Sequence, residues 1–189
     1  MRLVLLGPPG SGKGTQAVGL AEALGVPAIS TGAIFRDNLA RETELGKTAG
    51  QYMSAGQLVP DEVTNAMVAD RLSQPDVAAG FILDGYPRNL EQVAELDAML
   101  AERGLELDLA IELTLDHGLV IERLLRRAEI EGRADDTEPV IRERLAVYRQ
   151  STEPISGAYA ARSKLASVDG DGSIEDVAAR LRKVCQPAG

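Results

Sequence analysis

Three groups of residues in this chain have the types and spacing to handle phosphate. The first is GPPGSGKGTQ, residues 7–16. It approximates Gly-x-x-x-x-Gly-Lys-Ser/Thr, in which glycines let successive backbone N–H groups turn inward around phosphate oxygens and the lysine adds a point charge. Gly14 stands where that pattern carries a magnesium-holding hydroxyl, and Thr15 comes one residue late. The second group is DGYPR, residues 84–88, directly after an apolar run. A carboxylate there, Asp84, can hold magnesium through water, and Arg88 can face phosphate from the same edge. The third is a set of arginines. Arg123 and Arg127 are four apart and share a helix face, and Arg133 and Arg144 follow. Convergent on a transferring phosphoryl group, such charges would stabilise its loose transition state. Each group also has a plain structural reading: a glycine turn, a strand-end turn, or solvated surface charge, which is the ordinary role for Arg126, Arg142 and Arg149. Asp135 and Asp136 can simply favour the start of the next helix.

The elements that would position these groups are legible as an alternation. Residues 3–6 form a wholly apolar run, as in a strand buried on both faces. Helical spacing begins at Lys13, with Ala17, Leu20, Ala21 and Leu24 on one side, and Gly25 with Pro27 offers a stop. Further strands are predicted at 27–29, 81–83, 109–115 and 164–168. Helices are predicted at 61–72, 90–103, 118–127, 138–159 and 174–184, with a break or kink at Pro154. This order implies a parallel sheet with helices on both faces and ligands at the carboxyl ends of the strands. Residues 31–59, mostly helical, and the charged segment 126–136 interrupt the alternation and read as insertions over that edge.

Composition narrows the classes. At 189 residues, 44% hydrophobic and 26% charged, the chain suits one soluble domain with small insertions. A formal net charge of −9 argues against a general nucleic-acid-binding surface. The single cysteine, Cys185, excludes an intrachain disulfide and a multi-cysteine zinc site, and suits a small packing residue. No signal peptide or membrane-length apolar stretch is evident, so a cytoplasmic protein without membrane or nucleic-acid partners is expected.

Together these segments make the chain resemble the adenylate kinases of the bacterial, short-lid type over essentially its whole length. GPPGSGKGTQ is similar to that family's phosphate loop, where Lys-Gly-Thr is the normal form. STGAIFR (30–36), GQLVPD (56–61), FILDGYPRNLEQ (81–92), GRADD (132–136) and VDGDG (168–172) match its further motifs. The resemblance implies a P-loop NTPase-like three-layer α/β/α fold with a five-stranded parallel sheet. Its core would be 1–29, 60–125 and 137–189, its helical nucleoside monophosphate insertion 30–59 and its lid 126–136. By matching position, Gly10, Ser11, Gly12, Lys13, Gly14 and Thr15 would cradle ATP phosphates. Arg123 would lie on the ATP adenine, Arg127 would bind ATP, and the backbone of Gly172 would sit beside the base. Thr31, Arg36, Gln57, Leu58, Val59, Gly85, Tyr86, Pro87, Arg88 and Gln92 would bind AMP. Gln92 suits adenine because an amide both donates and accepts. Arg133 and Arg144 would contact AMP or the transferring phosphoryl, and Lys13, Arg88, Arg123, Arg133 and Arg144 would carry catalysis.

The implied reaction is ATP + AMP ⇌ 2 ADP with Mg²⁺, by in-line transfer without a covalent intermediate or a dedicated base, in a monomer whose insertions close over the nucleotides. Magnesium would be held mainly by phosphates and water, with Asp84 reaching it through water. Ala33 departs from the family, which often has an acidic residue there, and Arg126 adds a second charge beside Arg127. The lid is short and lacks cysteine, so no structural zinc is expected. The nearest alternative is a UMP/CMP or GMP kinase, and Thr31 argues against the pyrimidine enzyme, which typically has alanine there. A guanine-nucleotide switch would carry Asn-Lys-x-Asp, which is absent, and a hydroxyl directly after the loop lysine.

Overall fold

In a computed structural model describing residues 1–131 and 137–186, the chain alternates strands and helices. β1 (Arg2–Leu6) leads through α1 (Lys13–Leu24) to β2 (Ala28–Ser30). α2 (Thr31–Ala40), α3 (Glu44–Ser54) and α4 (Asp61–Leu72) follow, then β3 (Phe81–Asp84), α5 (Leu90–Ala101) and β4 (Leu109–Thr114). α6 (His117–Glu131), α7 (Glu138–Val147), α8 (Glu153–Ala161), β5 (Leu165–Asp169) and α9 (Ile174–Val184) complete it. The five strands are all parallel, in the order β2-β3-β1-β4-β5.

The period-two pleat sorts the apolar strand residues onto two faces. Leu3 and Leu5 join Ile82, Ile111, Leu113 and Val168 under α1 and α9, where Ala17, Leu20, Val177 and Leu181 meet them. Cys185 is buried in the same cluster, and burial pushes its thiol up. Val4 and Leu6 face the other way with Phe81, Leu83 and Ala110, against Val68, Val93, Leu96, Ile155 and Tyr159 of α4, α5 and α8. Each such fully buried leucine or isoleucine contributes about 2 kcal/mol. A strand buried on both faces needs the unbroken apolar run seen in β1.

β1 and β3 are neighbours, yet β1 connects outward to β2 and β3 connects across to β4. Their loops therefore part, leaving a crevice at the carboxyl ends of the two strands. The glycine loop and DGYPR both open into it.

One expectation is corrected and another is refined. The segment from Arg126 continues α6 as helix as far as Glu131. No glycine or proline stands between Gly118 and Gly132 to stop it. The rest of that segment, 132–136, lies outside the described residues. The interruption expected at Pro154 in the helix over 138–159 is present and falls just before it: α7 ends at Val147, a π-helical turn spans Tyr148–Thr152, and Pro154 sits in the first turn of α8. Proline is tolerated there because a first-turn N–H has no helical partner to lose.

α2 and α3 pack on each other with a small core of Phe35, Ala49 and Val59, flanked by Leu45, Tyr52 and Met53. The approach is closest at Gly46, where a Cβ would lie 2.2 Å from the backbone oxygen of Asn38. Gly46→Ala is expected to cost about 1–3 kcal/mol, because backbone must move to admit the methyl. A urea titration reads this as a lower midpoint, and an unchanged midpoint would show that the two helices separate freely.

Candidate active site

Gly10 and Gly12 adopt left-handed φ of 85° and 89°. This lets the loop after β1 curl tightly, since a Cβ disfavours that region. Gly12 caps α1 without any side-chain hydrogen bond, so the first N–H groups of the helix stay available to an anion, at the positive end of its dipole. The Lys13 ammonium folds back beneath the loop, donating to the carbonyls of Gly7 (2.7 Å) and Pro8 (2.9 Å). Burial lowers its pKa to about 8; Asp84 opposes this, and Arg88, Arg144 and Arg127 add to it. Thr15, exposed in the first turn of α1, also lines the cavity.

Asp84 ends β3 opposite Ser30 of β2, and the Ser30 hydroxyl donates to its Oδ2 at 3.3 Å. The same hydroxyl accepts from the Ala33 N–H and caps α2. Gly14 leaves open the space beside this carboxylate: a Cβ there would stand 3.6 Å from Asp84 Oδ2. One carboxylate facing the phosphate loop fits a magnesium ion that keeps its waters and takes its other ligands from phosphate. Among the described residues, no three or more His, Cys, Asp or Glu gather as metal ligands, and no helix is long and apolar enough to cross a membrane.

Arg88 is held at three points. Its Nε donates to the Gly85 carbonyl at 2.7 Å, which also accepts from Thr31 Oγ1 at 2.9 Å. Its backbone N–H donates to Gln92 Oε1 at 2.8 Å, and its carbonyl accepts from Thr152 Oγ1 at 2.8 Å. Burial lowers the guanidinium pKa, as do Arg144 and Arg36, with Asp84 opposing; an arginine stays charged through such a shift. Gln92 is itself positioned by Asp61, which accepts from its Nε2 at 2.7 Å and also from Asn89 Nδ2. One N–H and one lone pair of the amide remain for a ligand.

These groups surround a cavity of about 700 Å³, with a side pocket of about 60 Å³ sharing Gly32, Arg36, Gly56, Leu58, Gly85, Arg88 and Arg144. Gly10, Gly12, Lys13, Gly14, Thr15, Asp84, Pro87, Arg123 and Arg127 line the main cavity. Thr31, Gln57, Val59 and Gln92 line the side pocket, together with the apolar Phe35 and Met53. Three expected residues line neither. Ser11 is 2% exposed within the loop, and Tyr86 is 1% exposed in the core, its hydroxyl donating to Asn65 Oδ1 at 2.8 Å. Gly172 lies in the turn after β5, beside Asp176 and Arg180. Arg123 reaches that turn instead, donating to the Gly170 carbonyl at 3.2 Å. Arg133 lies outside the described residues.

Charge is gathered unevenly. Among the described residues, Lys13, Arg36, Arg88, Arg123, Arg126, Arg127 and Arg144 all line the main cavity against one carboxylate, Asp84, in a chain of net charge −9. Such a concentration of cations calls for a polyanionic ligand. Sequence reasoning left Arg126 on the surface and did not single out Ile130; both line the cavity because α6 continues past Arg127 and presents 123, 126, 127 and 130 on one face. Tyr148 and Thr152 also line it, and no sequence motif marks them.

A glycine loop between a buried strand and a helix, at the switch point of a parallel sheet and ringed by cations, defines a P-loop nucleotide-binding protein of the phosphotransferase kind. The adenylate kinase family model matches residues 5–164. Adenylate kinases of Kocuria rhizophila and Thermobifida fusca are each 55% identical over 180 residues, covering 95% of this chain and 96% and 95% of their own. That of Stenotrophomonas maltophilia is 51% identical over 181 residues, 96% of this chain and 97% of its own. The chain belongs to the adenylate kinase family and is an enzyme.

Proposed function

We propose that the protein catalyses reversible, magnesium-dependent phosphoryl transfer from ATP to AMP, giving two ADP. The observation that carries this reading is the cationic cavity over the glycine loop, joined to a side pocket with an apolar wall and an amide. ATP phosphates lie on the loop N–H groups and Lys13, with Arg123 and Arg127 on the rest of the donor. The AMP phosphate meets Arg36, Arg88 and Arg144, while its base enters the side pocket beside Phe35, Met53 and Val59 and is read by Gln92. Thr31 acts through Gly85, whose carbonyl it shares with Arg88.

An AMP phosphate oxygen, already anionic, attacks the γ-phosphorus of ATP in line. The bond from γ-phosphorus to the bridging oxygen breaks, and ADP leaves carrying that charge. No proton needs a dedicated base, so the enzyme's work is alignment and charge neutralisation. Magnesium, when bound with ATP, neutralises the bridging phosphate charge; Asp84, oriented by Ser30, would hold it through water. Closure of the insertion 30–59 and the lid 126–136, with Arg133, excludes water that would otherwise take the phosphoryl group. The reading is of a monomer working in the cytoplasm.

Measuring ADP formation from ATP with AMP, UMP, CMP and GMP as acceptors tests this reading. AMP is expected to be preferred by about a hundredfold or more, because a site built to hydrogen-bond one base edge rejects others through unpaired polar groups. A preference for UMP or CMP would replace it with the pyrimidine kinase. Binding or hydrolysis of GTP without transfer to AMP would favour a switch protein.

A further inference from the structure

We infer that Thr152 is a positioning residue for phosphoryl transfer: its hydroxyl, delivered by the π-helical turn between α7 and α8, fixes the carbonyl of Arg88 and so aims the Arg88 guanidinium. The inference rests on the reading of Arg88 as a phosphate-binding group.

A threonine inside a helical rod ordinarily returns its hydroxyl to the carbonyl one turn back. Thr152 instead donates at 2.8 Å to Arg88, a residue 64 positions away in the chain. It is 9% exposed, so water competes little for the bond. The turn makes this possible. The Glu153 N–H bonds to the Tyr148 carbonyl, five residues back rather than four, and so accommodates one extra residue. Each residue of a helix turns the next side chain by about 100°. Without the extra residue, position 152 would point away from the DGYPR loop. Single π turns of this kind are frequent at functional sites.

The consequence is a link between two sources of charge. α7 carries Arg144 into both cavities, and the same rod, eight residues on, grips Arg88 by its carbonyl. Gln92 holds the Arg88 N–H and Gly85 holds its Nε. Thr152 is thus the only one of these three partners that comes from outside the segment 85–92, and it registers that segment against the helix bearing Arg144.

Thr152→Val keeps the shape and removes the donor, and Thr152→Ser keeps the donor. Steady-state rates with ATP and AMP are measured for both, alone and combined with Arg88→Ala, on protein shown to be folded by circular dichroism. Thr152→Val is expected to lower kcat roughly tenfold with the KM for ATP unchanged, since a small misalignment of a positioning group is felt in the chemical step. Thr152→Ser recovers most of that loss. In the Arg88→Ala background Thr152→Val adds nothing, because residues acting as one unit are not additive. A wild-type kcat in Thr152→Val, no recovery with serine, or full additivity with Arg88→Ala overturns the inference alone. Wild-type activity in Arg88→Ala overturns the reading of Arg88 itself. If Thr152→Val does not fold, Thr152→Ala takes its place and is judged by the same comparisons.

Discussion

Lys13→Ala is expected to lower kcat/KM for ATP by about a thousandfold, the scale of losing one preorganised charge donor at a transferring group. The backbone loop would survive the change, since its left-handed turn depends on glycines and Ser11 N–H bonds to the Pro8 carbonyl. What disappears is a point charge beneath the loop, held in the free protein by the Gly7 and Pro8 carbonyls. The same residue gives the free protein a pH signature. Its ammonium has a pKa of about 8 because burial disfavours the charged form; Asp84 opposes that, and Arg88, Arg144 and Arg127 add to it. Bound polyphosphate would hold the proton on, so binding above pH 8 requires proton uptake. ATP affinity is therefore expected to stay level just below pH 8 and to fall about tenfold per pH unit above it. Calorimetric titration between pH 7.5 and 9.5 measures this. A flat profile in the native protein, or an equally sloped one in Lys13→Ala, would assign the charge elsewhere.

Arg88→Ala should lower kcat by on the order of 10²–10³-fold and raise the KM for AMP. Arg88→Lys should recover little of the loss. The guanidinium uses its Nε on Gly85 at 2.7 Å and keeps the outer nitrogens for phosphate, a division of labour that an ammonium on a flexible stem cannot copy. Substantial activity in Arg88→Lys would show that charge alone suffices and that the Gly85 anchor is dispensable.

Much of this was legible in the chain itself. The apolar run of β1, the glycines behind it and the helical spacing from Lys13 each follow from local rules, so the phosphate loop could be located without tertiary information. Gly14 first reads as a missing hydroxyl. The fold gives it a spatial meaning: it keeps clear the space between the loop and Asp84, two segments 70 residues apart that meet only because β1 and β3 pair.

Elsewhere local rules pointed to the wrong place. Tyr86 stands inside a binding motif, yet its ring is core and its hydroxyl serves Asn65. A motif records which residues occur together, not which of them face the ligand. Arg126 is exposed, as surface charge would be, yet it also borders the open cavity, because nothing before Gly132 stops the helix that carries it.

By itself the sequence determined the alternation of strands and helices, the parallel sheet and the glycine loop, because periodicity and turn chemistry act over a few neighbouring residues. Only the tertiary structure decided which side chains share the cavity, how Asp61 and Gln92 brace the DGYPR loop, and where the helix before Pro154 divides. The reason is physical. A hydrogen bond such as that from Thr152 to Arg88 depends on the packing of distant elements and on one extra residue in a turn, and neither leaves a mark on the residues nearby.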